Sequence, residues 1–154
     1  LKLAKLKEFF AMMLDVNVLL AAARQDHTHH ARAKDWLESW LTDCETGTQM
    51  LLLPLMVIAS FLRLITQAKI YPNPSKPAQA VAYIDWLLGI RGVSIGLQGK
   101  EWTQLRKLCL DKQLVHNDIP DAWLASLVIA SGEVLATFDK GFKELLPASQ
   151  LQIL

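Results

Sequence analysis

Met12-Met13-Leu14-Asp15-Val16-Asn17-Val18-Leu19-Leu20-Ala21-Ala22-Ala23-Arg24 decides the fold. Residues 12–16 form a short apolar run broken only by Asp15, the pattern of a strand buried on both faces of a parallel sheet. From Asn17 onward the composition turns to leucine and alanine, which favour helix. A strand that passes at once into a helix opens a βαβ unit. In an open parallel sheet, residues at the carboxyl ends of the strands converge on one crevice. Asp15 stands at that junction, and a carboxylate in an apolar strand is costly to bury without a partner. Two readings of it stand open, a cap for the following helix or a ligand to a cation. Asn17 carries the same pair, helix cap or a group that orients water at a metal.

Downstream, the chain repeats the alternation. The spacing predicts a helix over 29–41 with Ala33, Trp36, Leu37, Trp40 and Leu41 on one face, then a strand over 50–53. Pro54 opens a helix expected to run to residue 70 and to bury Val57, Phe61 and Leu64, proline being well tolerated in a first turn. A proline-rich loop covers 71–77. Helices over 78–88, 100–112 and 120–130 alternate with strands over 93–97 and 134–136, and Ser131-Gly132 ends the last helix. A helical turn over 141–145 and a strand over 151–154 complete the pattern. Strands alternating with helices argue an α/β/α sandwich around a central parallel sheet of four or five strands.

With 154 residues, 52% of them hydrophobic, the chain can bury a substantial core as one domain. We expect that domain over 13–154, preceded by an extension over 1–12. A net charge of +1 excludes a strong basic field, so a nucleic acid would be held by local contacts and bridging metal. Cys44 and Cys109 match no disulfide framework or zinc spacing and read as thiols of a reducing cytoplasm. The most apolar run, 50–62, contains Pro54 and falls well short of the ~20 residues a bilayer needs, so no membrane span is expected. An apolar fraction this high predicts exposed apolar surface for a partner.

Two further acids stand where Asp15 does. Asp121 follows Pro120 in the first turn of a predicted helix, where the macrodipole alone would accommodate it. Asp139 follows a predicted strand, where turn chemistry or pairing with Lys140 would also account for it. Asp118 reads as a cap or a supporting group. Three carboxylates gathered at one sheet edge repel one another unless a cation lies between them. Oxygen ligands of this kind suit Mg²⁺ or Mn²⁺, which points to phosphodiester chemistry. Arg63 and Lys69, both expected on the helix of Ser60, are candidates for phosphate contact. His27, His29 and His30 match no zinc spacing and are assigned surface or capping roles. The tryptophans are assigned to core packing.

The ordered set of motifs resembles the PIN-domain ribonucleases. Leu14-Asp15-Val16-Asn17-Val18-Leu19-Leu20 resembles their opening motif. Asp26-His27-Thr28-His29-His30-Ala31-Arg32-Ala33 with Trp36-Leu37, Phe61-Leu62-Arg63-Leu64-Ile65-Thr66 and Asp121-Ala122-Trp123-Leu124-Ala125-Ser126-Leu127 resemble segments of VapC-type toxins. Ala136-Thr137-Phe138-Asp139-Lys140-Gly141-Phe142 resembles the closing acidic motif. The resemblance implies a PIN-like fold and an endoribonuclease that is the toxin of a toxin–antitoxin pair. It also implies Mg²⁺ or Mn²⁺ held by Asp15, Asp121 and Asp139, with Asn17, Ser60 and Thr137 in support, a cognate antitoxin and a homodimer. Ser60 departs from the pattern, since these nucleases usually carry a glutamate there. Gly141 departs too, where many relatives carry a second acid. Two other readings remain. One is a weakened or silent member that binds RNA or antitoxin without hydrolysis. The other is a phosphatase using Asp15 as nucleophile, against which Asn17 stands where such enzymes place a second acid.

Overall fold

A computed structural model of the chain describes residues 11–96, 99–114 and 118–154. The expected extension therefore lies largely outside the described residues, as does Leu97, the predicted end of the third strand. Five strands, β1 (Ala11–Leu14), β2 (Met50–Leu53), β3 (Val93–Ile95), β4 (Val134–Thr137) and β5 (Leu151–Ile153), pair in the order β3-β2-β1-β4-β5, and every pairing is parallel. All four residues of the central strand β1 are buried, as its unbroken apolar sequence requires.

Six helices cover the sheet: α1 (Val16–Ala23), α2 (His30–Glu45), α3 (Leu55–Ile65), α4 (Pro77–Leu88), α5 (Trp102–Lys112) and α6 (Asp118–Ser131). The chain steps from β1 to β2 to β3 in one direction, then crosses back over the sheet to β4. Right-handed crossovers put helices of opposite stepping direction on opposite faces. Accordingly α1 packs on α2 and α3, α3 packs on α4, and α5 pairs with α6. The result is the expected α/β/α sandwich around a five-stranded sheet. The order reverses at β1 and β4, whose outgoing connections diverge and open a crevice beyond their carboxyl ends.

Local chemistry explains the boundaries that differ from expectation. Helix α2 runs on to Glu45 because Cys44 continues the buried stripe of Ala33, Leu37 and Leu41. Helix α3 stops at Ile65, five residues early. The Thr66 hydroxyl donates back to the Leu62 carbonyl at 2.7 Å, and Ser75 N from the proline-rich loop donates to the Ile65 carbonyl. Lys69 thus lies beyond the helix of Ser60, contrary to the sequence reading, and Leu64 is only half-buried where Ile58 and Ile65 take its place. Helix α6 begins at Asp118 rather than residue 120. It ends at Gly132, whose φ of +69° lets two backbone N–H groups turn back to Val128 and Ile129.

Phe61, Phe142, Met13, Leu14, Leu19 and Leu127 are among the largest fully buried side chains, joining both helical layers through the sheet. Of the tryptophans whose side chains are described, Trp36 and Trp40 pack half-buried against the core as assigned, whereas Trp86 and Trp123 depart from that assignment. Trp36 and Trp40 stack on each other at 5.7 Å at the rim, while Trp86 and Trp123 are 53% and 39% exposed. An indole at i,i+4 spacing on an amphipathic helix meets the core only by its edge when smaller residues occupy the stripe centre. Among the described residues no helix is long and apolar enough to cross a membrane.

Candidate active site

Asp15 sits one residue past β1, and its backbone N donates to the Ala136 carbonyl of β4 at 3.0 Å. That register sets it beside Thr137, the last residue of β4. The two sequence readings of Asp15 prove compatible. Its Oδ1 caps α1 by accepting from Val16 N at 2.6 Å, while Oδ2 accepts from the Thr137 hydroxyl at 2.7 Å and from Asn17 Nδ2 at 3.2 Å. Asp15 is 7% exposed, and burial raises its carboxyl above the ordinary value despite those three donors. Asp139 adds to that rise through its charge.

Thr137, fully buried, joins two acids. It donates to Asp15 and accepts from Asp139 N at 3.0 Å. Asn17 closes the ring, its Oδ1 accepting from Phe138 N at 3.2 Å. Asn17 and Thr137 thus tie the Asp15 carboxylate to the backbone of the turn that carries Asp139. Asp139 caps a 3-10 turn (Lys140–Glu144), accepting from Gly141 N at 2.7 Å. A Cβ at Gly141 would lie 2.9 Å from Asp139 Oδ1, so a second acid there would have to displace that carboxylate. Asp139 is thus a turn residue by its backbone partner, while its pairing with Lys140 is not formed.

Asp121 reaches the same crevice from the first turn of α6. Its carboxyl is lifted to about 6, first by burial and then by the charges of Asp15, Asp139 and Asp118. The three acids predicted from sequence therefore share one electrostatic neighbourhood. The ion pairs among the described residues, Arg24–Asp26 and Lys34–Glu38, neutralise none of them. Beside Asp121 a cavity of about 260 Å³ is lined by Lys112, Asp118, Gly141 and Glu144. Lys112 was not singled out in the sequence, because one lysine at a helix end looks like any solvated charge. A larger cavity, about 390 Å³, touches Ser94, Lys100 and Glu133 and none of the three acids.

Ser60, Arg63 and Lys69, the other expected site residues, lie on α3 or beyond it. Ser60 is half-buried on α3, at the edge of the stripe of Val57, Phe61 and Ile65. Arg63 and Lys69 are both exposed, Arg63 in the last turn of α3. His29 occupies the cap position of α2 without a side-chain capping bond, so of the surface and capping roles it takes the surface one, and its ring stacks on Phe138.

A divalent cation is the group this chemistry calls for. Among the described residues no three His, Cys, Asp or Glu side chains stand close enough to enclose one. The donor set nevertheless fits a hard cation. It consists of oxygen ligands alone, and their mutual repulsion is the charge that such an ion would neutralise.

The PIN domain family model matches residues 12–145. Ribonuclease VapC31 of Mycobacterium tuberculosis is 33% identical over 131 residues, 84% of this chain and 89% of the relative. Ribonuclease VapC43 of the same organism is 33% identical over 132 residues, 85% of this chain and 87% of the relative. Among solved structures, the VapBC2 complex of Rickettsia felis bound to a promoter DNA fragment superposes with a TM-score of 0.64 at 20% identity, covering 93% of this chain and 98% of that one. Mycobacterium tuberculosis VapC20, described as a Sarcin-Ricin loop cleaving toxin, reaches 0.59 at 14% identity, covering 86% and 93%. At these identities the two structures bear on the fold alone, whereas the family model and the curated relatives establish the lineage. With its acids on the edge where β1 and β4 diverge, the chain belongs to the PIN-domain family and to its VapC ribonuclease branch.

Proposed function

We propose that Asp15, Asp121 and Asp139 hold Mg²⁺ or Mn²⁺ and that this crevice hydrolyses RNA phosphodiesters within a domain spanning residues 13–154. One observation carries the reading: Thr137 joins Asp15 to the turn of Asp139 through two hydrogen bonds, and the charges of both acids, after burial, help to push the Asp121 carboxyl up to about 6. Three acids kept in mutual repulsion destabilise the free protein, and a site that tolerates the cost gains from a cation. A bound divalent ion would lower the pKa of water and offset charge developing on the phosphate. Thr137 and Asn17 hold the Asp15 carboxylate in a single orientation, and Thr137 fixes the turn that presents Asp139. Preset ligands lose little freedom on binding. Arg63, exposed on α3, and Lys69, exposed beyond it, remain the phosphate contacts assigned from sequence. Ser60 in place of the family's glutamate leaves the cluster one charge short and weakens its hold on metal.

The test is cleavage of a labelled single-stranded RNA with and without Mn²⁺. Asp15→Asn is expected to abolish metal-dependent cleavage while circular dichroism and thermal unfolding report an intact fold. Wild-type rates in that variant would remove Asp15 from the site. Wild-type protein that binds RNA but cuts none at any Mn²⁺ concentration would favour the silent reading that Ser60 raises.

The partner is an antitoxin, by extension from the VapBC pairing of the structural neighbours. Exposed Leu55, Val81, Trp86 and Leu110 supply apolar area for an amphipathic helix or for a second copy of the chain in a homodimer. An RNA substrate and two free thiols, Cys44 and Cys109, support the cytoplasm as the compartment of this reading.

A further inference from the structure

Next to Asp139 in the chain lies an aromatic pair, Phe138 packed in part against the core and an exposed His29, that the proposed metal chemistry does not use. The His29 ring stacks on Phe138 with centroids 4.6 Å apart and planes 21° from parallel. His29 is exposed and Phe138 half-buried, so the pair stands at the surface. Phe138 lies between Thr137 and Asp139, and its backbone N is held by Asn17 Oδ1. The pair is therefore built onto the turn that presents one of the three acids.

It is also held in place. His27 Nδ1 accepts from His29 N at 3.1 Å, and the His27 ring stands 5.9 Å from that of His29. His30, next in sequence, anchors its Nδ1 on the Ala21 carbonyl of α1 at 2.8 Å. The start of α2 is thus tied down on both sides of His29. Since the His29 side chain makes no capping bond, its ring is free for another role.

Resting on the nuclease reading above, we propose that the His29–Phe138 pair is a stacking platform for the nucleobase flanking the scissile phosphate. Three observations choose an RNA base as its occupant. First, the platform is one residue from Asp139, so a phosphate at the acids brings the neighbouring base to it. Second, the chain carries a net charge of only +1 and, among the described residues, no ion pair offsets the three acids, so local phosphate contacts and a bridging cation leave room for a further source of affinity. Base stacking supplies it and tolerates any sequence, since every base has a π-face. Third, the rings are preset, which removes most of the ordering cost of capture. A paired base has its faces covered by its neighbours, so the platform selects single strands, loops and bulges over duplex.

The test uses mixed-sequence single-stranded oligoribonucleotides carrying one 2-aminopurine, with matched duplexes as the second arm. Binding is read by fluorescence in EDTA, and cleavage in Mn²⁺. Wild type is expected to quench the single strand and to leave the duplex unquenched. His29→Ala should lose the quench and raise KM about ten-fold, with kcat within about two-fold. His29→Phe, which keeps an aromatic face, should restore both. An abasic nucleotide beside the cut should raise KM in wild type but not in His29→Ala, because the two changes remove the same contact. Phe138→Ala serves as an independent variant, with thermal unfolding as the check on its fold. Unchanged quench and KM in His29→Ala, or His29→Phe as impaired as His29→Ala, would overturn the platform while cleavage stands. A wild type that quenches but does not cut overturns the nuclease reading and leaves the platform standing. Neither quench nor cleavage overturns both.

Discussion

Asp121→Asn should stabilise the metal-free protein, and by an amount that depends on pH. The folded-state carboxyl titrates near 6 against an ordinary value of 3.8. Folding therefore binds its proton more tightly, a contribution fully present below about pH 4 and lost as pH rises through 6. A rise of that size corresponds to about 3 kcal/mol at full strength. Asp121 is only partly buried, so solvent and salt screening reduce this to roughly 1.5 kcal/mol at pH 7.5. For a chain of this length that is a gain of about 3–6 °C in Tm. The assay is thermal unfolding in EDTA at pH 4.5 and 7.5, where the variant should lead clearly at 7.5 and little at 4.5. Asp15, whose carboxyl is raised for the same first reason, keeps its charge in the variant, so the wild-type loss of stability with pH should shrink without vanishing. Adding Mn²⁺ then reverses the order. At a hundredfold excess over Kd a ligand adds about 2.7 kcal/mol to the wild type, and the variant should forfeit most of it. A gain equal at both pH values, no gain at 7.5, or a variant still ahead in saturating Mn²⁺ would refute the shared electrostatic site.

Thr137→Val keeps the shape of the side chain but removes one of the three donors to the Asp15 carboxylate and leaves the Asp139 N–H without its acceptor. It should cost about 1–3 kcal/mol near pH 7 in urea unfolding and slow cleavage, with a smaller stability loss at low pH, where a protonated Asp15 needs no donor. A variant as stable and active as wild type would mean that Thr137 positions nothing. Ser60→Glu should tighten Mn²⁺ binding in isothermal titration and raise cleavage, because a fourth carboxylate adds charge to an oxygen-only site. An unchanged Mn²⁺ affinity would place residue 60 outside it.

How far the sequence reaches is clearest residue by residue. Asp15 was legible as a candidate because it breaks a local rule, a carboxylate set in an apolar strand. Asp121 and Asp139 break none by themselves, and only the recurrence of an acid at three predicted strand-to-helix transitions singles them out. The strand and helix order followed from hydrophobic runs separated by turn residues, which short-range sterics and burial dictate. Other features had no local signal. The early end of α3 depends on a carbonyl claimed by Ser75, ten residues away. Cys44 joins the buried stripe of α2 only because the sheet runs beneath it. The exposure of Trp86 and Trp123 reflects which helical face the neighbours leave open.

The sequence by itself determined the α/β alternation, the apolar strands that must lie inside a sheet, and an acid just after two of those strands and at the start of one helix, because these are properties of runs a few residues long. Only the tertiary structure decided the strand order β3-β2-β1-β4-β5, and with it the divergence of β1 and β4 that brings Asp15 and Thr137, 122 residues apart, within 2.7 Å. It alone set the His29 ring on Phe138. Such contacts join segments separated by most of the chain. They form when the whole apolar surface is buried at once, so no window of sequence carries them.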